Sequence, residues 1–436
     1  GEYNATHYIG EYAIPLLMLY VWAEDPAMRQ RAHILLDWLF AELATVTLDG
    51  MLRGPNSRTD DTSVVERWYA LSTYFSWQLF GNVPAGENFR GWGWGNYFAV
   101  LAEHYHVPEV IYRLAVDRQS DILQKDRARS RRIWRYSDEH MRPIYKTQYL
   151  RDQYAVGSHQ GGLSDPIQSH VWDVTWTVDD PRDVHNTIFS LHPHSSGKVQ
   201  QMFFCTFPEP MPPGVTYEGK PSYNSANKVL GCSPYEQVMQ DLDTVIALYD
   251  IPPEEDFPQV NGFFSRDLTD LVEHESGWIF ARGGTTYLAY RPLADYHWEP
   301  HIRYPRSRNP NVFEESGSKI LVSPHVKNGT ILQAADGSEF ASMADFQAAI
   351  LALPLEFTLE PSPSVSFTSL RGNELSMTFG LNPQINGKAI DYDSWELFEG
   401  PHLNSKLHSR VLTITHGDLR RILDYNTLSI IDQVVR

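Results

Sequence analysis

The hydrophobic periodicity of this chain changes once, near residue 146, and that change limits the fold more than any other feature. Before it, apolar residues recur with a helical period. "AMRQRAHILLDWLFAELATV" places Ile34, Leu35, Trp38, Leu39 and Leu43 on one stripe. Asp25-Pro26 is a start signal for this helix, and Asp49-Gly50 a stop. "TSVVERWYALSTYFSWQLF" repeats the pattern with Thr62 or Ser63 as cap. "NYFAVLAEHYH" and "PEVIYRLAVDRQSDIL" follow, with Pro108 at a helix start. Short connectors between such helices predict antiparallel hairpins. After residue 146, segments such as "QYLRDQYAVGS", "SHVWDVTWTV", "NTIFSLHPH", "TTYLAYRPL" and "RVLTITHGDLRRILDYN" read as strands between turn signals. Strands at this spacing predict stacked antiparallel sheets. "SMADFQAAILAL" reads as a helix, and "SPYEQVMQDLDTVIALYDIP" as a helix with a competing strand at "TVIALYD".

The expected fold class is therefore α+β. Residues 1–145 are expected to be helical, 146–360 an antiparallel β-sandwich, and 361–436 a C-terminal β segment, in the same unit or a small extra one. Roughly five or six helices are about half of what a closed (α/α) toroid of hairpins needs. An incomplete (α/α) toroid is expected, either an open arc or one whose earlier helices precede residue 1.

Composition removes several function classes. The chain has 436 residues, enough for two or three domains, and 42% are hydrophobic. Its net charge of −18 argues against nucleic acid as a partner. An anionic substrate stays possible, because the local field in a cleft decides that. The longest apolar stretch, "AIPLLMLYVWA", is too short to span a membrane and contains Pro15. These residues contain no signal peptide, but Gly1 is not a natural start, which leaves room for a leader removed before this numbering begins. Cys205 and Cys232 allow one disulfide or two buried thiols. No GxSxG, HExxH, Walker loop or dinucleotide fingerprint occurs, so no organic cofactor is expected. The 12 Trp and 23 Tyr suit either sugar faces or cores.

The stretch "EYNATHY" opens an apolar helix. On a first turn, Asn4 shares a face with His7 and with Tyr8. The plainer reading makes Asn4 a helix cap and Tyr8 a core ring. This stretch resembles the "E-x-N-S-P-x-Y" of heparinase II/III-like and alginate-lyase-like polysaccharide lyases, with Ala5-Thr6-His7 in place of the usual Ser-Pro and variable residue. "QYAVGS", "SGWIFARGGTTYLAYRP" and "INGKAIDYDSW" are similar to the sheet region of the same group. The resemblance implies an (α/α) toroid joined to antiparallel sheets, with the active site between them. It implies β-elimination on a uronic-acid polysaccharide, an anionic polysaccharide or oligosaccharide as partner, and a secreted or periplasmic setting.

Elimination needs a group that neutralises the uronate carboxylate, a base at C5 and an acid at the leaving oxygen. Asn4 suits the first task, and His7 or Tyr8 proton transfer. In "MLRGPNSRTDD", Arg53 and Arg58 are candidates to grip a carboxylate, Arg58 more so because it lies within the polar loop. Their alternative is pairing with Asp60, Asp61 or Glu66. Tyr154 and His159 lie at the helix-to-sheet junction, as acid, base or binding groups, or as a packed ring and a solvated imidazole. His192 and His194, two apart, share a strand face, a spacing used for metals; Pro193 marks a strand end. One of the two would be catalytic or substrate-binding. A structural zinc or calcium is a minor option there, and no metal is required. The six basic residues between Lys125 and Arg135, and Arg303 with its neighbours Arg306 and Arg308, make either a cleft rim or ordinary surface. Trp92 and Trp94, set among glycines, make a stacking platform or helix packing. The competing functions are a glycoside hydrolase using Asp60-Asp61 or Asp138-Glu139, and a non-catalytic glycan-binding protein.

Overall fold

The computed structural model describes residues 3–57, 59–85, 94–128, 143–162, 169–194, 225–303 and 314–435. Among these residues the chain is α+β: helices dominate the first part and antiparallel sheets the remainder.

Helices Tyr8–Trp22 and Pro26–Thr45 form a hairpin. Asp25 caps the second, its carboxylate accepting from the Ala27 amide at 2.9 Å, and Pro26 fills the first helical position. The single long helix expected over residues 62–80 is instead three pieces: Asp61–Val65, a 3₁₀ turn Arg67–Tyr69 and Leu71–Phe80. Its cap is Asp60, not Thr62 or Ser63, because Asp60 reaches the Ser63 amide at 3.0 Å. Gly81 closes the last piece in the left-handed conformation, φ +68°. Helices Trp94–His104 and Glu109–Val116 complete the N-terminal group.

The first long strand begins at Ile122, earlier than the periodicity suggests. "ILQKDRA" over Ile122–Ala128 alternates buried and half-buried residues, so it is a strand. It lies in the middle of a thirteen-stranded antiparallel sheet. Strands Ile144–Leu150, Tyr154–Gly161 and Trp172–Trp176 follow on one side. On the other side sit five strands from residues 398–434, which join through the pairing of Phe398 with Asp126. The C-terminal segment is thus divided: residues 364–389 belong to a separate five-stranded sheet, and residues 398–434 extend the large one.

"TVIALYD" is a strand, Thr244–Asp250, in a hairpin with Glu236–Asp241. Both its faces are covered, which a continuous run of β-branched and apolar residues satisfies better as a strand than as a helix. This hairpin starts a six-stranded sheet that packs on the large one over Tyr154, Trp172, Val174, Tyr249 and Tyr290. Its other face carries helix Met343–Leu351, capped by Ser342 on the Asp345 amide. The N-terminal helices pack on the 398–434 strands: Ile34, Phe40 and Phe75 meet Leu403, Leu412 and Ile414. A buried Asp37–Arg421 ion pair at 2.8 Å crosses this interface. No helix among the described residues is long and apolar enough to cross a membrane.

Candidate active site between the helices and the large sheet

Residues directly opposite each other in an antiparallel sheet share a face. Asp126, Lys146 and His159 are such neighbours across three strands. Gln148, Gly157 and Asp173 form the next row. The polar side chains of this face are nearly or fully buried, and they meet the loops that lead into and out of the helical hairpin.

Three anchors hold those loops. Gln148 donates to the Gly54 carbonyl at 2.9 Å. Asn56 donates to the Asn4 carbonyl at 2.8 Å, and residues Asn56–Ser57 pair as a short strand with Ser169–His170. Gly157 allows the closest approach: a Cβ there would collide with the Gly54 carbonyl oxygen. Beneath this contact, Asp173 accepts from Arg67 and from His170, the latter at 3.0 Å. Burial works to raise the Asp173 carboxyl, but Arg67 and His170 overcome it and hold it below the ordinary range.

Asn4 sits in this frame with φ +43°, a left-handed conformation that Asn tolerates better than most residues. Its side-chain amide donates to the Pro55 carbonyl at 3.0 Å, and its oxygen accepts from Lys146 at 3.5 Å. Lys146 also pairs with Asp126 at 3.2 Å, and its ammonium lies 5.3 Å from the centre of the Tyr3 ring.

The Tyr3 hydroxyl is 2.7 Å from Nδ1 of His159, and Nε2 of that ring is 3.1 Å from the Gly162 carbonyl. A carbonyl only accepts, so Nε2 carries the proton, Nδ1 is the acceptor, and Tyr3 donates. Burial pulls His159 down to about 4, so the ring is neutral at pH 7. Tyr3, Asn4, Lys146 and His159 therefore make one connected unit: a phenol bonded to a neutral base, beside a cation and an amide. Glu42 lies on the helical side of it, bonded by Trp38 Nε1 at 2.9 Å; burial pushes its carboxyl up to about 7.

Of the residues singled out in the sequence, the structure brings Asn4 and His159 together. His7 is close by but turned to another partner, its Nδ1 3.1 Å from Asp60. Asp60 and Asp61, the hydrolase pair, cap and open the helix Asp61–Val65. Tyr8 opens the first helix and is half-buried. Tyr154 is five residues from His159 on one strand and so faces the other way; it is fully buried between the sheets and donates to Asp243 at 3.0 Å. Arg53 points into the interior, 1% exposed, and donates to the Leu48 carbonyl. Burial and nearby Arg67 push its guanidinium down to about 9.

The strand Thr187–Leu191 ends before His192 and His194. His192 bonds to Ser233 at 2.7 Å and to the Phe257 carbonyl, while His194 contacts Glu255 at 3.3 Å. Burial lowers both, to about 3 and about 4. Among the described residues no group of three or more His, Cys, Asp or Glu is arranged to hold a metal. Arg303 pairs with Glu66 at 2.7 Å, and Glu66 in turn meets His185. Lys125 and Arg127 lie on a strand and stack over Trp395 and Tyr145. Arg58, Trp92, Asp138, Glu139, Cys205, Arg306 and Arg308 lie outside the described residues, as does the side chain of Trp94. Cys232 is buried 3.9 Å from His159 Nε2.

Sequence reasoning passed over Tyr3, Lys146, Arg67 and Asp173. A usable signal existed for Lys146. "IYKTQYL" sets Lys146 and Gln148 at period two within a buried strand, and such inward polar residues demand partners. Tyr3 and Arg67 carry no local signal.

No protein-family model, no curated protein and no solved structure matches the chain.

Proposed function

We propose that the chain is a polysaccharide lyase of the heparinase-like kind, acting on a uronate-containing anionic polymer by β-elimination, with its helices as an arc of an (α/α) toroid. The observation that carries this reading is the Tyr3–His159 hydrogen bond, flanked by Lys146 and Asn4.

The chemistry follows from these groups. The Lys146 ammonium and the Asn4 amide draw charge from the uronate carboxylate, which makes the C5 proton easier to remove. Tyr3 passes its phenolic proton to Nδ1 of His159, and the phenolate oxygen takes the C5 proton. The electron pair left at C5 forms the C4–C5 double bond as the C4–O bond breaks. Tyr3 then gives its new proton to the leaving oxygen, and His159 returns the first one. The net change is one proton moved from C5 to the leaving oxygen. The stacked cation stabilises the transient phenolate. No cofactor enters these steps.

The test is a screen of alginate, glucuronan, ulvan, heparan and chondroitin polymers with the full chain, followed by ultraviolet absorbance of the unsaturated uronyl end. Absence of that product from all of them across a broad pH range overturns the reading.

A glycoside hydrolase is the second reading, favoured by Glu236. Burial pushes its carboxyl up to about 8, as a general acid needs, and it lines a cleft with Asp391 and Asp393. New reducing ends without ultraviolet absorbance would select it.

A further inference from the structure

A cleft of about 630 Å³ opens where the end of the Tyr154–Gly161 strand meets residues 232–238 and two loops at 379–383 and 390–393. His159 lies in its wall, so the cleft adjoins the candidate active site from the side opposite Tyr3. Its acidic lining residues are Glu236, Asp391 and Asp393; no Lys or Arg lines it among the described residues. The cation and amide suited to a uronate, Lys146 and Asn4, are not among its lining residues. Among the described residues, a carboxylate placed in the cleft meets the like charge of Asp391 and Asp393 and no lining counter-ion.

Glu236 is the least satisfied group in this wall. Its Oε1 accepts from Tyr249 at 3.0 Å, and Tyr249 shares a further bond with Ser190. Its Oε2 is buried and has no hydrogen-bond partner among the described residues. Burial raises the carboxyl to about 8, so at neutral pH Oε2 carries a proton and is a donor. The facing wall is aromatic. Tyr145 and Tyr392 pack with ring centres 4.9 Å apart, and Tyr392 donates to Gln160. Aromatic walls with a few placed hydrogen-bonding groups suit the mixed apolar and hydroxylated faces of a sugar.

We propose that this cleft is a subsite for a sugar unit without a carboxylate, and that Glu236 fixes that unit by donating a hydrogen bond to one of its oxygens. The inference takes from the proposed function only that the ligand is a saccharide; it does not need elimination to occur. Under the lyase reading it makes the polymer a mixed one, with a carboxylate-free unit beside the reacting uronate.

The test is isothermal titration of the full chain at pH 7 with chitotriose, which is uncharged, and with triglucuronate. Wild type and the variants Glu236→Gln, Glu236→Ala and Tyr392→Ala are compared, each checked for folding by circular dichroism. Chitotriose is expected to bind wild type. Glu236→Gln should bind it within about threefold, because the amide keeps the Tyr249 bond and supplies a donor. Glu236→Ala and Tyr392→Ala should weaken it about tenfold or more. Triglucuronate binding should be unaltered by any of them. The proposal is overturned if chitotriose fails to bind wild type, if folded Glu236→Ala binds it unchanged, or if triglucuronate is the ligand that Glu236→Ala loses. Failure of the lyase reading shows instead as missing unsaturated product, which leaves these titrations intact.

Discussion

The Tyr3 hydroxyl reaches Nδ1 of His159 at 2.7 Å across 156 positions of chain. The Gly162 carbonyl fixes the direction of that bond by holding the proton on the other ring nitrogen. A donor phenol on a buried neutral imidazole is the arrangement from which the proposed proton transfers follow.

Tyr3→Phe removes the transferred proton and leaves the ring in place. The kcat on a cleavable uronate polymer is expected to fall about 100-fold or more, the scale of a lost general acid–base group. KM should change little, and the melting temperature by only a few degrees. Equal activity of Tyr3→Phe and wild type removes Tyr3 from the mechanism.

Asn4 combines a left-handed backbone with two side-chain bonds. Asn4→Gly keeps the backbone conformation and loses the side chain; Asn4→Ala loses both. Activity should fall in both variants, while urea denaturation should show Asn4→Ala less stable than Asn4→Gly by about 1 kcal/mol. A more stable Asn4→Ala contradicts the strained conformation.

Gly157→Ala drives a methyl group into the Gly54 carbonyl. Overpacking of this kind costs about 1–3 kcal/mol. The displaced loop also carries Pro55 and Asn56, which hold Asn4, so activity should drop more than that of a folded surface variant. Unchanged melting and turnover would place Gly54 elsewhere.

Buried His159 and half-buried Glu236 give opposite pH signatures. His159 titrates near 6.5 unfolded and about 4 folded, so its contribution is whole above pH 6.5 and is lost as pH falls toward 4. Glu236 titrates near 4.5 unfolded and about 8 folded, so its contribution is whole below pH 4.5 and is lost as pH rises toward 8. Urea midpoints across pH should therefore show His159→Gln gaining on wild type on the acid side. Glu236→Gln should gain on the alkaline side. Parallel profiles for wild type and variants contradict these burials.

Much of the architecture is readable in the sequence because its causes are local. Asp25-Pro26 opens a helix by supplying a cap and a preset φ, and Ser342 does so through one hydroxyl. The α+β class follows from periodicity, since a stripe that repeats every 3.6 residues cannot lie flat on a sheet. Thr244–Asp250 is ambiguous in sequence because a short apolar run fits either period, and burial on the sheet decides it; Ile122–Ala128, whose start the sequence assigns to a helix, is a strand because its residues alternate between buried and half-buried.

The site is a different matter. Asn4 and His159 stand out in the sequence as polar residues at a helix mouth and a domain junction, but nothing local joins them. The pairing of Lys146 with His159 in the large sheet, and the closeness of Gly54 to Gly157, put Lys146, Asn4 and Tyr3 around one imidazole. The same period-two alternation sends Tyr154 to the opposite face, into the core with Asp243. Burial turns Arg53 inward and leaves His192 and His194 bonded beyond the end of their strand. The α+β class and most of the helices and strands are written in the sequence, because backbone sterics and hydrophobic period act over a few residues. Which side chains meet is settled by the assembled fold, because strand register and burial depend on partners that no local stretch contains, as Tyr3 and His159 lie 156 positions apart.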